Sequence, residues 1–198
     1  MAALVSAIIL LARHGTHAEV GHVLSGRSEI GLSETGAAEA ERLATRLAAT
    51  PLDGICASPR RRTQETAMAV SARTGLPVQS APALDEIDFG TWTGRAFAEL
   101  DGDPAWHDWN ARRGSAAVPG GETMAQAVAR VRAFVEATAV QGGTMLYVSH
   151  CDVIRGLVSD LMGWSLDRLL DFDCNPASLT TLSLDSGHAR LIALNERP

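Results

Sequence analysis

The stretch AIILLARHG, residues 7–15, joins a run of apolar side chains to a cation and an imidazole. Continuous apolar residues over Ile8–Ala12 are typical of a strand buried within a sheet. Arg13 and His14 follow at the end of this strand, and Gly15 ends the pattern. In open α/β sheets, ligands bind beyond the carboxyl ends of the strands. The stretch therefore predicts an α/β fold in which Arg13 and His14 face a ligand.

The remaining sequence alternates between strand and helix patterns. The expected strands are Gly54–Ala57, Pro77–Ser80, Thr144–Ser149 and a hairpin of Leu179–Leu184 and Ala189–Leu194 around Asp185-Ser186-Gly187. The expected helices are 33–49, 58–74, 123–138 and 152–162, with loops and short helices over 81–121. This alternation predicts a three-layer αβα sandwich with a mostly parallel sheet. Since no repeat or linker interrupts it, a single domain over residues 1–198 is expected.

The charged residues narrow the classes of function. The formal net charge of −6 disfavours a non-specific nucleic-acid binder, because such proteins carry a basic surface. All 17 basic residues are arginine, which excludes Schiff-base chemistry and the lysine of a P-loop. Any anionic ligand would therefore be held by arginine, histidine or backbone N–H groups.

The cysteines and the apolar residues 1–12 indicate in which cellular compartment the protein is expected. Cys56, Cys151 and Cys174 are odd in number and far apart, which favours reduced thiols over a disulfide framework or a zinc site. Residues 1–12 could pass for a signal-peptide core, but no basic residue precedes them and Arg13 follows directly, which favours a strand. No stretch approaches the roughly 18 apolar residues of a membrane span. A cytoplasmic protein with no membrane partner is expected.

Three expected strand ends carry polar or charged side chains. The first strand end carries Arg13 and His14. The second leads into SPRRRTQETA at 58–67, which begins a helix that Ser58 is expected to cap by binding the free N–H groups. VSHCDVIRG at 148–156 ends a strand at a histidine and begins another helix, with Asp152 as its expected cap. Each feature alone is explained by a surface arginine or a structural histidine. Because helix N-termini and arginine both bind phosphate, their convergence predicts a phosphate site.

Four ordered motifs resemble those of the histidine phosphatase superfamily, in the branch that includes the cofactor-dependent phosphoglycerate mutases. They are RHG after the first strand, SPxxRxxxTA at 58–67, LxExxxGxWxG at 84–94 and the strand ending in Ser149-His150. LSGRSEIGLSETG at 24–36 and PGGET at 119–123 add to the match. The resemblance covers nearly the whole chain and implies the phosphoglycerate mutase-like fold.

The resemblance implies a role for each motif residue. His14 would be the nucleophile that forms a phosphohistidine, which a neutral imidazole can do when its other nitrogen carries the proton. Arg13, Arg62 and His150 would form the electropositive cradle that stabilises charge on the phosphoryl oxygens. Within the arginine triplet, the spacing from Ser58 selects Arg62. No metal and no cofactor are implied, because arginine and histidine already supply positive charge.

The resemblance places the proton donor for the leaving alkoxide at Glu86. A carboxyl beside a phosphate dianion has a raised pKa, which suits a general acid near neutral pH. Asp85 and Asp88 are the alternatives within the same motif. Ser25 and Gly26 are further candidates for substrate contact.

The chain also departs from the family pattern. Members often carry an acidic residue and an asparagine soon after RHG, whereas His17, Ala18, Glu19 and Val20 stand here, so the substrate lid is unusual. Family members often have glycine after the second histidine, whereas this chain has Cys151. We interpret Cys151 as a small residue at the start of a helix that contacts substrate, rather than as a reactive thiolate. His17 and His22 are expected in a loop and not as metal ligands.

Hydrolysis of a small phosphomonoester is the expected reaction. The mutases that this chain resembles have an insertion after the acid motif, but only about thirty residues separate Gly90 from Pro119 here. A mutase, a non-catalytic phosphate-binding module and a protein-phosphohistidine phosphatase are the alternatives. Aromatic residues at 89–109 are expected to form either a pocket wall or core, and a homodimer is a candidate assembly. A multiply phosphorylated substrate would use distal arginines, with Arg27, Arg95, Arg112 and Arg113 as candidates.

Overall fold

A computed structural model describes residues 6–139, 142–185 and 188–198. Within them, one sheet has the strand order β3-β2-β4-β1-β5-β6. The strands are β1 Ser6–Arg13, β2 Gly54–Ala57, β3 Val78–Ser80, β4 Gly143–Ser149, β5 Leu179–Asp185 and β6 His188–Glu196. β1 to β4 run parallel, whereas β5 pairs antiparallel with both β1 and β6. The expected mostly parallel sheet is confirmed.

Helices cover both faces of this sheet. The helices are α1 Glu34–Leu47, α2 Arg61–Thr74, α3 Phe97–Leu100, α4 Pro104–Ala111, α5 Met124–Ala139 and α6 Cys151–Leu161, and short 3-10 turns cover Pro82–Leu84, Gly90–Trp92 and Leu166–Asp171. Along β1, Ile9 and Leu11 pack into a core shared with α5 and α6. Leu10 and Ala12 pack into a second core with α1 and α2. A strand buried on both faces must be continuously apolar, which explains the opening sequence pattern.

The sheet order brings three loops to one edge. β2, β4 and β1 are neighbours and run parallel, so the loops that follow them leave the sheet at the same end. These are the loops that begin at Ser58, His150 and His14. The three charged strand ends therefore meet, as expected for an open α/β sheet.

Two expected helix caps are wrong. α2 begins at Arg61 with Arg60 as its cap residue, so Ser58 lies outside it, where its hydroxyl group accepts the Arg60 N–H at 3.3 Å and also bonds to side chains of the site. α6 takes His150 as its cap residue, and Asp152 lies inside the first turn in an ion pair with Arg113. Both side chains make tertiary contacts, and neither belongs to the cap residue of its helix. Residues 1–5 and 186–187, which include the expected hairpin turn, lie outside the described residues.

The segment between Leu84 and Met124 packs its aromatic side chains together. Trp92 and Trp109 are fully buried in the core, with ring centroids 6.0 Å apart, and Trp106 lies 5.4 Å from each. Phe89, Phe97 and Trp106 also line the cavity described below. The aromatic residues thus divide between core and pocket wall. Among the described residues, no helix has the length and apolar character needed to span a membrane.

Candidate active site

The three loops enclose one cavity of about 470 Å³ at the carboxyl edge of the sheet. Its lining includes all but one of the residues expected in the site, namely Arg13, His14, Ser25, Gly26, Arg62, Glu86 and Cys151. His150 does not line the cavity and is fully buried behind it. The volume lies in the range of small-molecule sites and leaves room for more than a phosphate group.

His14 is buried at the end of β1 with one defined ring tautomer. Its Nδ1 atom lies 2.8 Å from the carbonyl oxygen of Gly15, which can only accept a hydrogen bond, so Nδ1 carries the proton. Burial, followed by the charges of Arg13 and Arg62, lowers the pKa of His14 well below its usual value. The ring is therefore neutral, and its Nε2 atom has a free lone pair.

Two arginines place positive charge beside this ring. Arg62 is almost fully buried, and its guanidinium donates to the carbonyl oxygens of Gly26 at 2.5 Å and Ser28 at 2.9 Å. Arg13 donates to the carbonyl oxygen of Cys174 at 2.7 Å. Backbone oxygens rather than carboxylates hold these groups, so neither positive charge is cancelled by an ion pair with any residue that the structure describes. Both charges remain available to an anion in the cavity.

His150 joins Arg62 to a buried polar chain. Since Arg62 can only donate, Nδ1 of His150 accepts its hydrogen bond at 3.1 Å. The Nε2–H group then donates to the Ser58 hydroxyl group at 2.9 Å, which donates to Asp85 at 3.1 Å. Burial, followed by the charge of Arg62, lowers the pKa of His150 well below its usual value. In this arrangement a neutral His150 fixes the orientation of Arg62.

Glu86 is the only carboxyl group of its motif that lines the cavity. Burial, followed by the charge of Asp152, raises the pKa of Glu86 to about 8, and one oxygen accepts the Ile87 N–H at 3.0 Å. Asp85 instead bonds to Ser58 and lies 3.1 Å from Nε of Arg60. A carboxyl group that keeps its proton near neutral pH can act as a general acid.

Two half-buried arginines, Arg130 and Arg27, hold the loop that carries Glu86. Arg130 donates to the carbonyl oxygens of Asp85 at 2.7 Å and Glu86 at 3.1 Å, and it pairs with Glu122 at 2.8 Å. Arg27 also donates to the Glu86 carbonyl oxygen, at 2.9 Å. Arg27 therefore fixes the loop rather than binding a distal phosphate. Asp88 is half-exposed and caps the Gly90 N–H at 2.9 Å, outside the cavity.

Of the four distal arginine candidates, only Arg113 lines the cavity. Its guanidinium stacks 4.0 Å above the Trp109 ring and pairs with Asp152 at 2.8 Å. Arg112 pairs with Asp108 on the surface, and Arg95 lies near Glu99 and Asp103. Arg27, Arg95 and Arg112 thus do not reach the cavity.

His17 and Arg155 are among the lining residues that were not singled out for the site by their sequence pattern. The His17 ring lies 5.2 Å from that of His14, and burial lowers the pKa of His17 to about 4. Arg155, one turn into α6, has a buried Nε atom with no hydrogen-bond partner within the described part of the chain. The signal for Arg155 was present, because it lies on the helix that follows Ser149-His150. Its orientation depends on packing that the sequence does not display.

The comparisons with known proteins identify the family. The family model of the histidine phosphatase superfamily (branch 1) matches residues 9–197. The chain therefore belongs to the histidine phosphatase superfamily. It is an enzyme of the phosphatase class within that family, with the mutase-like fold that the motifs implied.

Three relatives illustrate the match. The chain is 30% identical to phosphoserine phosphatase 1 of Hydrogenobacter thermophilus, over 83% of this chain and 80% of the relative. It is 29% identical to adenosylcobalamin/alpha-ribazole phosphatase of Escherichia coli, over 94% and 95% of the two chains. A solved structure of mycobacterial glucosyl-3-phosphoglycerate phosphatase superposes with a TM-score of 0.87 at 26% identity, covering 96% of this chain and 99% of the other.

Proposed function

We propose that this enzyme hydrolyses a small phosphomonoester through a phosphohistidine on His14, without a metal ion. The observation that supports this most directly is the tautomer of His14, whose free Nε2 atom shares a cavity with Arg13, Arg62 and Glu86. The set supplies a nucleophile, a positive cradle and a protonated acid, which are the groups that phosphoryl transfer from an ester requires.

The reaction would proceed in two displacements. In the first, Nε2 of His14 attacks phosphorus, the bond from phosphorus to the ester oxygen breaks, and Glu86 donates its proton to the leaving oxygen. In the second, the Glu86 carboxylate takes a proton from water while the water oxygen attacks phosphorus. The bond from phosphorus to Nε2 breaks, and inorganic phosphate leaves. Arg13 and Arg62 would stabilise the phosphoryl oxygens in both transition states.

Several features favour hydrolysis over the alternatives. Glu86 is buried with a raised pKa. Such an acid is needed to protonate the leaving oxygen of an ester, whereas the imidazole of a phosphohistidine substrate leaves without one. The segment between Gly90 and Pro119 folds inward, with Trp92 and Trp109 in the core. It thus contributes little chain to seal a phosphohistidine from water, as a mutase must. A non-catalytic binding module would not require the defined tautomer of His14.

The first test is hydrolysis of p-nitrophenyl phosphate in the presence of EDTA. Wild type should be active, and His14→Ala should lose activity to background, because the variant lacks the attacking nitrogen. Circular dichroism and thermal unfolding of the variant check that the fold survives. Brief reaction of wild type with substrate followed by alkaline quenching should trap phosphate on a peptide containing His14. Retained activity in His14→Ala would overturn the nucleophile assignment.

The cavity also favours a substrate with a second negative charge. Arg113 is paired with Asp152, but Arg155 has no carboxylate partner among the described residues. The two positive charges of Arg13 and Arg62 balance the two negative charges of the phosphate dianion, and Glu86 is neutral when protonated. A cation that is left without a partner in a half-buried site is best matched by a carboxylate or second phosphate on the substrate.

Arg155→Gln tests this substrate class. Phosphoserine and 3-phosphoglycerate carry a carboxylate, whereas p-nitrophenyl phosphate does not. We expect KM for the preferred carboxylate substrate to rise by roughly ten- to a hundredfold, the scale of a charged hydrogen bond, with little change for p-nitrophenyl phosphate. Arg112→Gln is the matched control, because Arg112 lies outside the cavity. Equal changes for both kinds of substrate would contradict a second anionic group.

A further inference from the structure

Two of the three cysteines meet at the edge of the catalytic cavity. Cys151 is the first residue of α6, directly after His150, and its side chain lines the cavity. Its Sγ atom lies 3.7 Å from the carbonyl oxygen of Cys174, which is buried in the loop before β5. The sequence separates these residues widely, so only the fold brings the two thiols together.

The same carbonyl oxygen also holds the phosphate-binding cation. The Cys174 oxygen accepts the hydrogen bond of the Arg13 guanidinium at 2.7 Å, as well as the contact from the Cys151 thiol. The position of the Cys174 backbone therefore sets the position of Arg13. A covalent change at Cys174 is coupled to the cradle through one shared atom.

The two thiols differ in reactivity. Interaction with the Cys174 thiol lowers the pKa of Cys151 to about 7 against the opposing effect of burial, and the charges of Arg13 and Arg155 add to the lowering. The same interaction, together with burial, raises the pKa of Cys174. Cys56 is different, because it is buried in β2 and burial raises the pKa of its thiol. A thiolate beside a second thiol is the arrangement found in redox-sensitive cysteine pairs.

We propose that Cys151 and Cys174 form a reversible disulfide that turns the enzyme off when a hydroperoxide reaches the cavity. The Cys151 thiolate attacks the terminal peroxide oxygen, the O–O bond breaks, and hydroxide leaves with a sulfenic acid on Cys151. The Cys174 sulfur then attacks the Cys151 sulfur, the S–S bond forms, and water leaves. The two thiols lose two electrons, which the peroxide gains. A dithiol reductant reverses the step by thiol–disulfide exchange.

Disulfide formation would move the Cys174 backbone. A disulfide needs an S–S distance of about 2.05 Å and a fixed dihedral angle, and we expect the loop to shift toward the start of α6 to meet them. The carbonyl oxygen shifts with it, and Arg13 loses its present orientation. A displacement of ~1 Å at a positioning group costs about a hundredfold in rate, so activity should fall on that scale.

The experiment treats wild type, Cys174→Ala and Cys56→Ala with hydrogen peroxide and follows both mass and activity. Wild type should lose two hydrogens of mass, yield a tryptic peptide pair joining Cys151 to Cys174, lose activity and recover with dithiothreitol. Cys56→Ala should behave as wild type does. Cys174→Ala keeps the backbone oxygen that holds Arg13 and should form no disulfide, and its activity after treatment is compared with its own untreated value. Dithiothreitol should reverse any sulfenic acid left on Cys151.

The outcomes separate this inference from the proposed function on which its activity readout rests. If wild type forms no linked peptide, or if Cys174→Ala loses activity as wild type does and recovers equally, the disulfide switch is wrong. The mass measurement does not depend on catalysis. A linked peptide in a protein that hydrolyses no ester would therefore contradict the phosphatase mechanism while leaving the thiol pair in place. A linked peptide with unchanged activity would overturn the coupling to Arg13.

Discussion

A single proton on the His14 ring decides which nitrogen can attack phosphorus. The Gly15 carbonyl oxygen holds that proton on Nδ1, so the following residue of the chain orients the nucleophile. The sequence predicts the adjacency of Arg13, His14 and Gly15, but the tautomer depends on the backbone conformation at Gly15. The same limit applies to Glu86, since its motif locates the acid while burial in the fold raises its pKa.

Substitution Glu86→Gln tests the acid at the scale of one residue. A glutamine keeps the shape but cannot donate a proton, so departure of a poor leaving group should slow by about 10²–10⁴-fold. The nitrophenolate of p-nitrophenyl phosphate needs little protonation and should be affected much less. Comparing kcat/KM for phosphoserine and p-nitrophenyl phosphate checks this, because kcat/KM covers only the steps up to release of the leaving group. Equal losses on the two esters would remove Glu86 from the role.

The pH profile offers a second measurement on the same residue. The acid works while it is protonated, and its pKa is raised to about 8. In wild type, kcat/KM for phosphoserine should therefore fall as pH rises through about 8, with a much weaker fall for p-nitrophenyl phosphate. Asp88→Asn is the control, because that carboxyl group lies outside the cavity. Its profile should match that of wild type.

At the scale of elements, the start of α1 crosses the loop after β1 at very close range. A Cβ atom on Gly36 would collide with the Thr16 backbone, and one on Gly15 would collide with the Gly36 carbonyl group. Two glycines thus let the helix pack directly against the segment that presents His14. The Ser33 hydroxyl group fixes the same junction by accepting the Gly36 N–H at 3.1 Å.

Gly36→Ala should therefore damage both stability and catalysis. Although alanine favours helices, here it forces two backbones apart, and we expect a loss of about 2 kcal/mol or more in the free energy of unfolding. The displaced loop should also lower kcat. Gly102→Ala is the control, because a Cβ atom there meets open space and should change stability by less than about 0.5 kcal/mol. Urea unfolding of both variants measures the difference, and equal stabilities would contradict the close crossing.

The elements themselves were largely predictable, because long apolar patterns depend on burial. The bounds of β2 and the end of α2 at Thr74 match the sequence patterns, whereas β1 extends the expected Ile8–Ala12 to Ser6–Arg13. The caps expected of Ser58 and Asp152 were wrong, since each side chain finds a stronger partner from a distant segment. The contact of the Cys151 thiol with Cys174 cannot be predicted from the sequence either, because its partner also lies in a distant segment. Local chemistry predicts local structure until a tertiary partner competes.

At the scale of the whole molecule, buried histidines link stability to pH. His14, His17 and His150 all have lowered pKa values, and that of His17 lies at about 4. As pH falls below about 6.5, the unfolded chain binds protons that the folded protein excludes, so stability declines. Glu86 acts in the opposite sense, because the folded protein holds a proton that the unfolded chain releases above about pH 4.3.

Two variants should change this dependence in opposite directions. Between pH 5 and 6, His17→Gln should reduce the rise of unfolding free energy with pH, and Glu86→Gln should make it steeper. Each change should approach ~1.4 kcal/mol per pH unit, the value for one proton. Urea unfolding at several pH values checks both slopes. Slopes equal to that of wild type would mean that these groups titrate alike in the folded and unfolded states.

The position of β1 in the sheet has a consequence for synthesis of the chain. The strand that carries the nucleophile is synthesised well before either of its neighbours in the sheet, because Ile9 pairs with Met145 on one side and Leu182 on the other. At about 5–20 residues per second, its first partner emerges only several seconds later. During that interval an apolar strand with both edges open waits in a nascent chain, exposed to aggregation. Chaperone dependence should accordingly be greatest between the synthesis of β1 and that of β4, and the site around His14 cannot form before β4 is made.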